Sequence, residues 1–263
     1  MVPAALSRWP ARLPRIPATA AYTVAVLWIS TAMADLDDDA RDRIVRHAST
    51  NLHNLAHGRL GTLLTSAFVM DVPALSIWLP CLVCLLAAAE LLWGSTRLVV
   101  AFVIGHLGAT LLVAAGLAAA VEFTWLPASI SRASDVGMSY GAMGVVGALT
   151  AAVPSRWRAS WVGWWLGAGV VVAVDGDFTD AGHLVALLLG IAVSARFGTS
   201  AQWSPWRVAL AVVGVAFGFL VLTSSAAAFV AAPAGGALGA VAGLAGAALW
   251  DRHPPVSRVT PAP

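Results

Sequence analysis

The stretch that decides the fold is GMSYGAMGVVG, residues 137–147. Three of its glycines recur at every third position from 141 to 147, so they share one face of a helix. A face of glycines lets neighbouring helices approach closely, which predicts a helix inside a bundle. Pro154 ends this helix, so a helix over 138–153 is about 24 Å long, shorter than the roughly 30 Å hydrocarbon core of a bilayer. A short central helix leaves a depression above its outer end, where Ser139 lies in the first turn.

The composition of the whole chain indicates a polytopic membrane protein. Of its 263 residues, 59% are hydrophobic and 11% are charged, and the mean hydropathy is +0.82. A soluble domain carries about 25% charged residues, so this chain has too few to cover a soluble surface. The same values exclude a disordered chain and a coiled coil. The net charge of +2 is too small and too dispersed to predict a nucleic-acid partner.

Eight apolar segments approach the length of about 20 residues that a spanning helix needs. They are the segments 19–34, 74–93, 98–121, 138–153, 159–174, 181–197, 206–225 and 232–250. The apolar stretch Leu60–Met70 has only eleven residues, so we expect it to be interfacial or re-entrant. Residues 32–34 resemble a signal-peptidase site, but four prolines precede the first segment and favour an uncleaved helix. Seven and eight spans both remain open.

The arginines predict the orientation, because cytoplasmic loops are enriched in them. With the N-terminus inside, ten of the fifteen arginines fall in inner segments, and eleven of the thirteen acidic residues fall outside. We therefore expect a multi-pass protein of the cell membrane with both termini cytoplasmic. Residues 35–60 and 175–180 would then lie on the outer face.

Polar residues at membrane depth are informative, because an ionised group at a helix centre costs about 2.5–3.5 kcal/mol. His183 lies about one turn inside the segment 181–197, at the same outer side and a similar depth as Ser139. A serine becomes a nucleophile when a base is within hydrogen-bond reach, and this pair meets that need. Asp180 lies three residues before His183 and could orient the imidazole. The alternative is that both residues only make structural hydrogen bonds.

The remaining polar residues of the apolar segments are interpreted as structural. His106 lies in the middle of its segment, and Glu90 is expected to bind loop backbone or Arg97. Cys81 and Cys84 are spaced as small core residues of one helix, not as a metal pair or a disulfide.

Four motifs in this order along the chain resemble the rhomboid family of intramembrane serine proteases. They are LLTSAF at 63–68, before the second core helix; ELLWGSTR at 90–97, at its inner end; GMS at 137–139; and AGH at 181–183. The last two resemble the family's Gly-x-Ser-Gly nucleophile motif and the histidine motif of its sixth helix. The resemblance covers residues 18–197 and implies a six-helix core in which Ser139 is the nucleophile and His183 the base, with no metal and no cofactor.

The sequence departs from the family pattern at two places. Tyr140 replaces the glycine that follows the nucleophile, so it could crowd the sixth helix. The second helix of the family carries His-x-x-x-Asn, which helps to stabilise the oxyanion, whereas ALSIWL at 74–79 has neither residue. Losing one oxyanion donor costs about 10²–10³ in rate. Four residues of the outer loop could substitute without motif support: Asn51, His53, Asn54 and His57.

These observations predict an all-α, polytopic membrane helix bundle with a six-helix rhomboid-like core and one or two C-terminal helices. The expected divisions are a cytoplasmic segment 1–17, the core 18–197, additional transmembrane helices over 198–250 and a cytoplasmic tail 251–263. The function predicted is peptide-bond hydrolysis in membrane-embedded substrates by Ser139 and His183, with Gly137, Tyr140 and Asp180 as supporting residues. The alternative is an inactive protein that binds transmembrane clients. The partners are the lipid bilayer and a transmembrane substrate or client; a transporter lacks its paired broken helices.

Overall fold

The computed structural model describes residues 15–70, 75–198 and 202–252. Within these ranges the chain is helical and contains no strand, which confirms the predicted all-α helix bundle. The predicted N-terminal segment up to residue 14 and the predicted tail from residue 253 lie outside the described residues.

Twelve α-helices are numbered here in chain order. They are α1 (Pro17–Ala34), α2 (Asp38–Ala48), α3 (Leu52–Ala56), α4 (Thr62–Thr65), α5 (Leu75–Trp93), α6 (Ser95–Val103), α7 (Ala109–Glu122), α8 (Ser139–Ala148), α9 (Ser155–Asp175), α10 (Phe178–Ser194), α11 (Pro205–Leu222) and α12 (Ala226–Arg252). A π-helical turn, Ile104–Gly108, joins α6 to α7, and a 3-10 turn, Leu149–Ala151, extends α8.

Each predicted apolar segment corresponds to a helix, but not all of these helices are long. Five are long and apolar enough to cross a membrane: α1, α5, the continuous α6–α7, α11 and α12. The apolar α10 has 17 residues and is shorter than these five. The central helix α8 has only 10 residues, fewer than the sixteen predicted, because its last turn tightens into the 3-10 turn before Pro154. The stretch expected to be interfacial forms α4 and turns.

The core of the bundle is α8. All of its residues after Ser139 are buried, and α5, α6, the π-helical turn, α10 and α11 pack around it. Its glycine face makes the close approach that the sequence predicts. Cβ atoms at Gly144 and Gly147 would collide with the backbones of the π-helical turn and of α10, respectively. The position of Ser139 is therefore fixed by a helix that cannot shift without disturbing its neighbours.

The two helices after the core are packed into the bundle. In α11, Gly214 lies against Leu85 of α5, and Gly218 lies against Val146 of α8. The helix α11 therefore covers part of the side of α8. The last helix, α12, packs along α9 through facing glycines of both helices, as expected for small-xxx-small faces: Gly163, Gly167, Gly235 and Gly239.

Candidate active site

The residue Ser139 opens α8, and a glycine in the left-handed region precedes it. Gly137 has φ +116°, a conformation that a residue with a Cβ rarely adopts. Its amide donates to the carbonyl oxygen of Ser66 at 2.8 Å, which ties this turn to the segment after α4. Ser139 follows as the first helical residue and is half-buried. Because a helix start leaves its first amides without intrahelical acceptors, backbone donors surround this serine.

The residue His183 lies in the second turn of α10, whose start is fixed by a capping box. The side chain of Asp177 accepts from the amides of Thr179 and Asp180, and the Asp180 carboxylate accepts from the amide of Asp177 at 3.2 Å. This reciprocal cap sets where the helix begins and so where His183 lies. The helix begins at Phe178, three residues before the predicted segment 181–197, so His183 lies in its second turn.

The helices α8 and α10 run side by side in the same direction, so Ser139 and His183 lie at the same end of the bundle. Near this end a Cβ at Gly182 would collide with the ring of Tyr140. Two turns further along α10, and one turn further along α8, a Cβ at Gly190 would collide with the backbone of Gly144. These two close approaches bring the N-terminal ends of both helices together.

The aromatic ring of Tyr140 occupies the space beside His183. Tyr140 is buried, and its ring meets the imidazole nearly at a right angle, with ring centroids 5.5 Å apart. The absence of a side chain at Gly182 makes room for this ring. The residue that follows Ser139 is therefore in direct contact with the histidine.

The imidazole of His183 has no hydrogen-bond partner among the described residues. Both ring nitrogens are buried and unpartnered, and no hydrogen bond joins Ser139 to His183 in the described chain. The nearest carboxylate is that of Asp180, with Oδ1 at 3.9 Å from Nδ1 of His183. The Asp180 Oδ1 instead accepts from Ser224 Oγ at 2.9 Å, which ties the start of α10 to the segment between α11 and α12.

A third acidic group lies at this end of the bundle. Asp135, in the loop before α8, is partly buried, and its backbone is bound to the loop before α3 through Ser49 and Thr50. Burial, with a smaller contribution from the charge of Asp177, raises the pKa of Asp135 to about 7. The charge near Tyr140 at this end of the bundle therefore depends on pH around neutrality.

The sequence analysis did not predict the network around His106. The imidazole Nε2 lies 3.2 Å from Ser66 Oγ and 3.2 Å from the carbonyl oxygen of Leu63, and Thr50 Oγ1 donates to Ser66 Oγ at 3.0 Å. His106 belongs to the π-helical turn, a feature that is frequent at functional sites. Because Ser66 also accepts from Gly137, this network supports the turn that carries Ser139. Forty residues separate Ser66 from His106, so no local pattern indicates the pairing.

The carboxylate of Glu90, in the last turn of α5, is the centre of a second hydrogen-bond network. It accepts four hydrogen bonds, from the amide of Ala18, the amide and hydroxyl of Thr19 and the hydroxyl of Ser95. The expectation of loop backbone or Arg97 as partners was wrong in its details, since the backbone is the first turn of α1 and the side-chain partners are Thr19 and Ser95. A carboxylate at a helix start is favoured by the helix dipole.

The four residues between α2 and α4 that were considered as oxyanion donors mostly stabilise their own segment. Asn51 caps the amide of Asn54, and the Asn54 amide group donates to the carbonyl oxygens of Arg46 and Ser49. His53 and His57 pack against each other, with ring centroids 4.3 Å apart. Among the described residues, no group of three His, Cys, Asp or Glu side chains could hold a metal ion.

A comparison with protein families identifies the family of the chain. A family model described as rhomboid-like protein matches residues 13–203, a range that ends before α11. The chain belongs to the rhomboid-like family, and it is a multi-pass helical membrane protein. No curated protein and no solved structure matches it at a significant level.

Proposed function

We propose that this protein is a rhomboid-like intramembrane serine peptidase that uses Ser139 and His183. The observation that carries the proposal is the imidazole of His183, which is buried with both ring nitrogens unpartnered. A histidine with a purely structural role satisfies its nitrogens, because an unpaired buried polar group costs about 1–3 kcal/mol. A histidine that exchanges a proton with a nearby serine keeps a ring nitrogen free for it.

In the proposed reaction, Ser139 Oγ bonds to the carbonyl carbon of the scissile peptide while its proton passes to a ring nitrogen of His183. The tetrahedral intermediate collapses, the C–N bond breaks, and the same proton passes to the leaving amine. Water then hydrolyses the acyl ester, which forms the new carboxyl group and regenerates Ser139. Amides in the first turn of α8 would bind the oxyanion in place of the missing second-helix side chains.

The second candidate function is binding of a transmembrane client without cleavage. It is favoured by the contact of Tyr140 with His183 and by the lack of a hydrogen bond between Ser139 and His183 among the described residues. In this alternative the tyrosine separates the serine from the base. In the peptidase, substrate binding shifts the serine hydroxyl into reach, since catalytic hydrogen bonds are often long before substrate arrives.

A fluorophosphonate probe separates the two candidates on the full chain in detergent. The peptidase predicts covalent labelling of the wild type that is lost in Ser139→Ala and falls at least tenfold in His183→Ala. Ser134→Ala, in the exposed loop before α8, is the matched control and should label like the wild type. Absence of labelling in a wild-type protein that elutes as one folded species would contradict the peptidase and favour client binding.

A further inference from the structure

The carboxylate of Asp180, in the first turn of α10, is held at both of its oxygens. Oδ2 accepts from the amide of Asp177 at 3.2 Å, and Oδ1 accepts from Ser224 Oγ at 2.9 Å. A Cβ at Gly176 would collide with Oδ2, so this glycine makes room for the carboxylate. Asp180 is buried, and the donors to its two oxygens come from distant parts of the chain.

The same carboxylate lies beside the unpartnered imidazole of His183. Oδ1 of Asp180 is 3.9 Å from Nδ1 of His183, which is too long for a hydrogen bond but close enough for a charge interaction. A carboxylate oxygen has two lone pairs, so Oδ1 can accept from His183 while it accepts from Ser224. Both ring nitrogens are buried without a partner among the described residues, so Oδ1 has no competitor there for Nδ1.

A carboxylate at Nδ1 is useful to a histidine that acts as a base. In the proposed reaction, His183 takes the proton of Ser139 and becomes a cation in a buried site. A buried charge is costly unless an opposite charge lies close to it. A carboxylate at Nδ1 supplies that charge, and it also keeps the proton of the neutral ring on Nδ1, which leaves Nε2 free for the serine.

The hydroxyl of Ser224 fixes the direction of this carboxylate. Asp180 also borders a small cavity of about 140 Å³, whose lining includes Ser225 but not His183. Without the hydroxyl of Ser224, Oδ1 is free to turn toward this cavity and away from the imidazole. Ser224 lies between α11 and α12, beyond residue 203, where the family match ends.

We infer that Ser224 is a positioning residue, which holds the Asp180 carboxylate toward Nδ1 of His183. The segment between α11 and α12 thereby completes the site that α8 and α10 begin. This inference rests on the proposed peptidase function, because the position of the carboxylate matters to the reaction only if His183 acts as the base.

The rate of fluorophosphonate labelling tests this role, measured on the full chain in detergent at several probe concentrations. Ser224→Ala should lower the maximal labelling rate about three- to tenfold, the effect of one lost hydrogen bond. The probe concentration that gives half of this rate should not change, because Ser224 acts on the base and not on the probe. Ser224→Thr keeps the hydroxyl at an exposed position and should label within about twofold of the wild type.

Ser225→Ala is the matched control. Ser225 is also exposed, and its Oγ accepts from the amide of Ala228 at 3.1 Å. The variant therefore removes a hydrogen bond from the same segment without changing the one to Asp180, and it should label like the wild type.

A double-mutant cycle connects the effect to Asp180. Asp180→Asn removes the charge but keeps an oxygen that can accept from the amide of Asp177. In this background, Ser224→Ala should change the maximal labelling rate by less than about twofold. A full effect there would show that Ser224 acts through another group and would contradict the inference.

Three further results would overturn the inference while the proposed peptidase stands, since the wild type is labelled in each. They are a wild-type rate in Ser224→Ala, an equal fall in Ser225→Ala, and a fall in Ser224→Ala that Ser224→Thr shares. A folded wild type that is not labelled at all would instead contradict the peptidase, and the role of Ser224 with it.

Discussion

The rings of Tyr140 and His183 meet nearly at a right angle, with their centroids 5.5 Å apart. This contact exists because position 182 has no side chain, since a Cβ at Gly182 would collide with the tyrosine ring. The large residue beside Ser139 is therefore accommodated by a glycine on the opposite helix. The sixth core helix, α10, remains in close contact with α8 two turns further along, at Gly190.

The Gly182→Ala variant should destabilise the protein, because the new methyl group displaces the ring of Tyr140. Overpacking of this kind costs about 1–3 kcal/mol, which thermal unfolding in detergent measures. Gly116→Ala is the matched control: it lies in α7 with open space around it and should be neutral or stabilising by about 0.5–1 kcal/mol.

A double-mutant cycle with Tyr140→Ala completes this test. In the background without the tyrosine ring, Gly182→Ala should cost less than about 0.5 kcal/mol, because the clash is gone. An undiminished cost in that background would show that the glycine is required for another reason.

The Tyr140→Phe variant should be nearly neutral, because the buried Tyr140 hydroxyl has only a weak contact, with the side chain of Thr179, among the described residues. The other tyrosine of the chain provides the control, since Tyr22 donates to the carbonyl oxygen of Ala67 at 2.6 Å. Tyr22→Phe should therefore cost about 1 kcal/mol. Equal losses in both variants would show that Tyr140 has a hydrogen-bond partner.

The helices were predictable from apolar length and the glycine spacing, because membrane helices must bury their own backbone groups. The start of α10 was placed at residue 181 instead of Phe178, although the cap that Asp177 and Asp180 form is a local pattern. The hydrogen-bond partners of Glu90 and His106 were not predictable. Thr19 is 71 positions from Glu90, and Ser66 is 40 positions from His106, so each pair meets only through tertiary packing. The contact of α11 with α8 likewise depends on helix packing that no single segment specifies.

The predicted topology is tested by introduced cysteines in a Cys81→Ala, Cys84→Ala background. Asp39→Cys, in α2, and Asp175→Cys, at the end of α9, should react with an impermeant maleimide on intact cells, and Ser155→Cys should not. All three positions are exposed, so local burial does not decide the result. Protection of both Asp39→Cys and Asp175→Cys with labelling of Ser155→Cys would reverse the arrangement.

The Glu90→Gln variant should destabilise the protein strongly. Each carboxylate oxygen of Glu90 accepts two hydrogen bonds. Glutamine replaces one of these oxygens with an NH₂ group, which cannot accept, so two donors lose their acceptor. Hydrogen bonds to a charged group contribute about 1.5–3 kcal/mol each, so we expect a loss of at least about 3 kcal/mol in thermal unfolding. Glu122→Gln, exposed at the end of α7, is the matched control and should change stability by less than about 0.5 kcal/mol.

The contribution of Asp135 to the stability of the protein should fall as the pH rises toward neutrality. Its pKa is raised to about 7 in the folded protein, by burial and then by Asp177, whereas the unfolded chain has the ordinary value near 4. Between these two values the folded state binds more protons than the unfolded state at this site. The contribution of Asp135 to stability is therefore most favourable below about pH 4, decreases until about pH 7 and is constant above it.

Asp135→Asn keeps the backbone bonds to Ser49 and Thr50 and removes the titrating group. Thermal unfolding from pH 4.5 to 8 should therefore give a flatter profile for Asp135→Asn, with a gain over the wild type that grows with pH. The exposed-residue variant Asp39→Asn should keep the wild-type slope, and a wild-type slope in Asp135→Asn would assign the pH dependence to another group.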